Sequence, residues 1–207
     1  MYLAIDTETT GLNADCQVLT AYFIVLDNDL HEMAHLDLKI RYPYYKVYTK
    51  ALEVNRIDLI KHDREAIDFV DAKNVLNKFL NDHKTPFRYI PLGHNINFDL
   101  KMLKNSGLLS DDHDHLSPNV LDTITIAQFL KTCKIIPNKQ SLSLTNLAKH
   151  FNLTTNNKTA NIDFHTAEYD IRMTVELLKQ LKDVVVNDVV LKDGTSSGVK
   201  RKRELQN

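Results

Sequence analysis

Cysteine is scarce in this 207-residue chain, which carries only Cys16 and Cys133 and no Cys pair at metal-binding spacing. That excludes a disulfide framework and a thiolate metal knuckle, and it fits a reducing compartment. Long apolar runs are missing too, so no membrane span is expected. Met1 leads at once into a β-prone run, which leaves no room for a secretory leader, and an intracellular protein, cytoplasmic or nuclear, is expected. Charge of one sign is not in excess, the formal net charge being −1. Setting aside the five basic and two acidic residues of 192–207 leaves 21 basic and 25 acidic residues in the body. A nucleic-acid binder that works by bulk positive charge is thereby excluded. If phosphates are handled, local groups and metal ions must draw them in. No internal repeat is present. What remains is 43% hydrophobic and 26% charged, the make-up of one globular domain large enough for a real core.

Three β-like runs open the chain: Leu3 onward, Val18 to Leu26 and Leu36 to Ile40, the last two joined by a turn at Asp27-Asn28-Asp29. They predict an antiparallel meander. Arg41 to Tyr48 gathers Tyr42, Tyr44, Tyr45 and Tyr48 around Pro43 and Lys46, either a base-stacking surface or a sheet-edge cap. Apolar spacing of three and four predicts helices over Ala51 to Ile60 and Phe69 to Leu80. A short strand, Arg88 to Leu92, closes at Gly93, and a helix follows over Phe98 to Leu103 with Asn95 or Asn97 as its N-cap. Further helices are expected over Thr123 to Lys131, over Leu144 to Phe151 after a Ser143 cap, and from about Thr166 to Leu181. Val184 to Leu191 reads as a helix end or a small hairpin. The basic stretch Lys192 to Asn207 reads as a disordered tail, a nuclear-import or nucleic-acid patch or a merely solvated end. The pattern predicts an α/β fold, a mixed sheet covered by helices.

Asp6 and Glu8 sit two apart on the first strand and therefore point the same way. Two like charges on one face repel, so they are either a solvated strand edge or a site. Asp99 and Asp170 each fall in the first turn of a predicted helix, where an acid complements the helix dipole. His165 stands five residues before Asp170. The Asp111-Asp112-His113-Asp114-His115 cluster is a second metal candidate, or a solvated loop.

Taken together, the segments Asp6-Thr7-Glu8-Thr9-Thr10-Gly11-Leu12, Gly93-His94-Asn95 with Phe98-Asp99, and His165 with Asp170 resemble the three motifs of the DEDDh exonucleases, proofreading-type (DnaQ-like) 3′→5′ enzymes. Leu121-Asp122-Thr123 and Ser141-Leu142-Ser143-Leu144 look like landmarks of the same family. The resemblance covers about residues 1–182. It implies a ribonuclease-H-like fold with a central mixed five-stranded sheet, an exonuclease domain over 1–191 and a tail over 192–207. It implies a hydrolase that releases nucleoside 5′-monophosphates from a 3′ end, with single-stranded DNA favoured and an exoribonuclease or a non-catalytic binding module as the alternatives. The cofactor implied is two Mg²⁺ ions, for which Mn²⁺ can substitute. Hard cations of this kind prefer carboxylate oxygen, and a pair of them roughly 3.5–4 Å apart serves phosphodiester hydrolysis.

By the same resemblance Asp6 bridges both ions, Glu8 and Asp170 complete the inner ligands, Asp99 acts partly through water and His165 is the general base. Thr7, Thr9, Leu12, Asn95 and Phe98 would hold the terminal nucleotide. Many family members carry basic residues just before the histidine. Here Asn161-Ile162-Asp163-Phe164 has none. Nucleic acid with a free 3′ end is the expected partner, with a DNA polymerase or other replication protein on the tail.

Overall fold

The computed structural model describes residues 1–110, 115–153 and 166–193. Among them the elements run β1 (Tyr2–Thr9), β2 (Val18–Leu26), β3 (Glu32–Arg41), α1 (Thr49–Asn55), α2 (Leu59–Glu65), β4 (Ile67–Asp68), α3 (Phe69–Asp82), β5 (Ile90–Gly93), α4 (Ile96–Asn105), β6 (Leu121–Asp122), α5 (Thr123–Thr132), α6 (Leu144–His150) and α7 (Ala167–Asp193). The six strands form one sheet in the order β4-β3-β2-β1-β5-β6. β1 pairs antiparallel with β2 and parallel with β5, and β5 is parallel to β6. So β1 sits centrally, at the join between a meander and a parallel half. The predicted mixed α/β sheet is present. It has six strands where five were expected, because the two residues of β4 add an edge to β3.

Alternation along β1 sorts the molecule into two layers. Leu3 and Ile5 face one way and meet Phe23, Val25, Leu38 and Ile40 beneath α3 and α4. Ala4 faces the other way, with Tyr22, Ile24 and Leu92, beneath Ile171, Val175 and Leu178 of α7. Both faces of the sheet are covered, which is why Val18–Leu26 reads as a nearly unbroken apolar run. On α3 the buried positions are Ala72, Leu76, Phe79 and Leu80, the stripe expected of a 3.6-residue period. Truncating Leu76, which is fully buried, to alanine costs about 2–5 kcal/mol. A third apolar group joins Ala127 and Leu130 of α5 and Leu147 of α6 to Leu177 and Leu181 farther along α7.

Three local expectations are corrected, and one left open is decided. The helix predicted over Ala51 to Ile60 is two helices, broken where Arg56 takes a left-handed conformation with φ 56°. Its N–H closes the first on Leu52 O, and Asp58 caps the second through Ile60 N and Lys61 N. β3 begins at Glu32, not Leu36, because the antiparallel pairing with β2 runs back to Leu26↔Glu32. Asn95 stands at the N-cap of α4 but in left-handed geometry, φ 72°, and Ser143 stands at that of α6, and neither makes a side-chain cap bond. Val184 to Leu191 continues the last helix and forms no hairpin. The tail beyond Asp193 lies outside the described residues.

No helix among the described residues is long and apolar enough to cross a membrane.

Candidate active site

Three strands end at the same rim. β1 finishes with Asp6 and Glu8, β5 with Gly93 and β6 with Asp122. Gly93 is small for a reason. A Cβ there would lie 2.9 Å from Ile96 Cδ1 and 3.2 Å from Ile5 O. The alternation that sends Ala4 toward α7 sends Asp6 and Glu8 the same way. There they meet Asp170, in the first turn of α7, whose N–H bonds Thr166 O at 2.9 Å. Asp6, Glu8 and Asp170 each offer a carboxylate oxygen, and these oxygens lie within 4.8 Å of one another.

Asp99 approaches from the other layer. It lies on the buried stripe of α4 with Ile96, Met102 and Leu103, a costly place for a carboxylate without partners. Thr7 supplies them. Its N–H and its hydroxyl both donate to Asp99 Oδ1, at 3.0 and 2.7 Å.

Burial is the first cause of the electrostatics and mutual repulsion the second. The Asp6 carboxyl is pushed well above the usual range by burial and then by Asp99, Glu8 and Asp170. Glu8 is pushed up to about 8 by burial, Asp170 and Asp99, against a hydrogen bond from Asn55 that lowers it. Asp99 rises to about 7, again chiefly by burial, although the Thr7 bonds pull the other way. A group of acids that resists ionising among its own kind is relieved by positive charge. Oxygen donors alone, gathered this closely, suit a hard divalent cation such as Mg²⁺ or Mn²⁺.

The predicted substrate-side residues fall around this rim. Thr9 is buried, its hydroxyl donating to Gly11 O at 2.6 Å. Leu12 is 81% exposed just past the end of β1. Asn95 is exposed, its N–H held by Asp122 Oδ1 at 2.9 Å. Phe98 is half-buried against the core under α4. Thr7 has both of its donors on Asp99. His165 lies outside the described residues, as do Asp111 to Asp114 and Asn161 to Phe164. Of the tyrosine group, Tyr42 bonds Val18 O of β2 and Tyr45 bonds Asp63 of α2, so both tie the segment after β3 to the fold. Tyr44 is exposed.

Several positioning residues were not predicted. Asp122 caps α5 through Ile124 N and also holds the Asn95 turn, linking β5, β6 and the start of α4. His94 bridges Thr123 Oγ1 at 2.9 Å and Leu142 O at 3.0 Å. A carbonyl only accepts, so Nε2 carries the proton, and burial pushes the imidazole down toward its neutral form. Arg172, one turn after Glu168, bonds Glu168 Oε1, Glu32 Oε2 and the Tyr22 hydroxyl, pinning the start of α7 to the sheet. Tyr22 stands opposite Asp6 in the β1–β2 register. The motif spacing marked Asp122 only as a landmark, and nothing in the pattern marked Arg172.

The sheet order and the helices on both faces define the class: a ribonuclease-H-like α/β fold. The solved structures with this fold include exonuclease I from Methylocaldum szegediense, with TM-score 0.66 and 15% identity over 93% of this chain and 43% of that one. Exonuclease X in complex with 5′ overhanging duplex DNA matches with TM-score 0.60 and 18% identity, over 88% and 92%. Cell-death related nuclease 4 matches with TM-score 0.65 and 14% identity, over 88% and 63%. The chain thus spans less than half the length of that exonuclease I and nearly all of exonuclease X. No family model matches the sequence. No curated protein matches it either. The resemblance read from the three motifs is borne out in the fold.

Proposed function

We propose that this chain is a divalent-metal-dependent 3′→5′ exonuclease that releases nucleoside 5′-monophosphates, with single-stranded DNA as its favoured substrate. The observation that carries the reading is the meeting of Asp6, Glu8 and Asp170 in one set of oxygen donors, with Asp99 beside them. Support comes from the fold, held in common with exonuclease I and exonuclease X, the latter seen in complex with duplex DNA.

Asp6, Glu8 and Asp170 would hold the metal, and Asp99 would add an oxygen directly or through water. When bound, Mg²⁺ or Mn²⁺ supplies positive charge for the attacking and leaving oxygens of the phosphodiester. The chain's own groups do the rest. Asp6 and Glu8 are presented from one strand, so their spacing is set by the pleat and not by loop motion. His165 takes the proton of the attacking water, a task suited to an imidazole of ordinary pKa near 6.5. Leu12, exposed beside the rim, wedges against the terminal base, and the rim at Thr9, Asn95 and Phe98 shapes the pocket for it. Residues 1–191 form the catalytic domain, and 192–207 docks on a polymerase or another replication protein.

Digestion of 5′-labelled single-stranded DNA, duplex DNA and RNA, with Mg²⁺, Mn²⁺ or chelator, tests this. Stepwise shortening that needs metal is expected, fastest on single-stranded DNA. Mid-strand fragments, 5′ resection or full activity in chelator would overturn it.

A further inference from the structure

At the end of β1 the sheet is irregular at one point. Asp6 pairs with Tyr22 and Glu8 with Thr20, but Thr9 pairs with Val18, so the register slips between Glu8 and Thr9. A bulge there interrupts the ladder beside a candidate ligand, and bulges next to sites commonly re-aim a side chain. One residue from a distant segment sits on this irregularity. Asn55 closes α1 and is buried, 6% exposed, although every other residue of that short helix is half-buried or exposed. Its Nδ2 donates to Thr9 O at 3.1 Å, and its Oδ1 accepts from Ile57 N at 3.2 Å.

Those contacts use both ends of the amide. Asn has two N–H donors on one nitrogen and one carbonyl acceptor. One donor goes to the Thr9 carbonyl, one residue past Glu8, while the oxygen is satisfied by the backbone just past α1. The left-handed Arg56, φ 56°, turns the chain sharply after Asn55, so that Ile57 N reaches back to its side chain. Aspartate in the same place would have no donor for the Thr9 carbonyl. A buried amide holding the carbonyl just past Glu8 fixes the bulge from which the Glu8 side chain is aimed.

We propose that Asn55 is a positioning residue for the metal set. It braces the bulge between Glu8 and Thr9 through the Thr9 carbonyl, so that the Glu8 oxygen meets those of Asp6 and Asp170, and it thereby makes the cation affinity of the site depend on the α1–α2 turn. The inference rests on the reading of that set as a metal centre. Outer partners that orient a ligating carboxylate typically carry about 10–100-fold in metal affinity or activity.

The test is Mg²⁺ and Mn²⁺ binding to the full chain by calorimetry without substrate, with thermal melts in chelator run alongside. Asn55→Leu keeps the volume and removes the hydrogen bonds. Asn55→Ser is a second variant, too short to reach the Thr9 carbonyl, for use if the first fails to fold. Each is expected to bind metal about 10–100-fold more weakly than wild type and to need correspondingly more metal for half-maximal nuclease activity. A purely structural asparagine would lower the melting temperature in chelator and leave metal affinity unchanged. That result overturns the inference while leaving the metal-centre reading intact. Absence of metal binding by the wild type overturns the reading itself, and this inference with it.

Discussion

Asp6, Glu8 and Asp170 at the rim, and Asp27, Asp29 and His31 in the turn after β2, each bring ligand-type atoms within 4.8 Å of one another. The two groups look alike on paper and differ in what satisfies them. In the turn, Asp27 Oδ1 accepts from Asp29 N at 2.8 Å and His31 N at 2.9 Å, and the backbone bond from His31 is the main reason its carboxyl sits below the usual range. That is an aspartate folding a hairpin. At the rim the carboxyls are driven upward by burial and by one another, and Asn55 and Thr7 offset only part of it. Satisfied acids shape a chain. Frustrated ones ask for a cation.

The sharpest way to break the comparison is to remove a rim carboxylate. Asp6→Asn should lose more activity than the roughly 10²–10⁴-fold that deleting a general base costs, and raising the pH should not restore it. Asp27→Asn should cleave as wild type does. Equal losses in a single-turnover assay would show that the rim is not special. Next in size, His165→Ala should lose about 10²–10⁴-fold, with residual activity that climbs with pH as hydroxide replaces the base, and should keep wild-type Mg²⁺ affinity. If its affinity falls as far as that of Asp6→Asn, the histidine is a ligand.

Stability against pH gives the third contrast, and the signs are opposite. Glu8 titrates near 4.5 when free and at about 8 when folded, so the folded state holds the extra proton between them. Its contribution is fully present below about pH 4.5 and is lost as pH rises to about 8, a decline that Asp99, at about 7, reinforces. Melts in chelator should therefore drop over that window, and Mg²⁺ should restore them at pH 8. Glu8→Gln should melt higher than wild type in chelator at pH 8, by about 2–4 °C for each kcal/mol of repulsion relieved. Asp27 is lowered instead, so what it contributes is present above the usual value of 3.8 and lost only in acid. The smallest effect belongs to Asp27→Asn itself, a change in melting temperature of no more than about 2 °C at neutral pH, where a larger drop would mean the turn holds more of the fold than its exposure suggests.

Much of this was legible in the chain. The period-two alternation placed Asp6 and Glu8 on one face, and the spacing from Gly93 to Asp99 put a carboxylate in the first turn of α4. What escaped was set by contacts between distant segments. Arg56 breaks a continuous helical pattern with a left-handed backbone that nothing in its side chain announces. Asn55 is an ordinary polar residue until β1 comes within reach of it. Two-residue β4 is below the length at which any period can be read. Asn95 stands at its expected position, yet its value there is a tolerated positive φ and an N–H for Asp122, not the side-chain cap that helix statistics suggest.

The direction of β1 also says how the molecule can be handled. The strand starts at Tyr2, and the amino group of Met1 bonds Asn28 Oδ1 in the β2–β3 turn at 2.7 Å. From Tyr2 to Glu8 the strand advances about 20 Å at roughly 3.3 Å per residue. A dye, a biotin or a surface linker placed at Met1 or on the Asn28–Asp29 turn is therefore held at the far end of the central strand from the carboxylate rim. Immobilised through that end, the chain would present its rim to the bulk solution, the orientation that a single-molecule degradation assay needs.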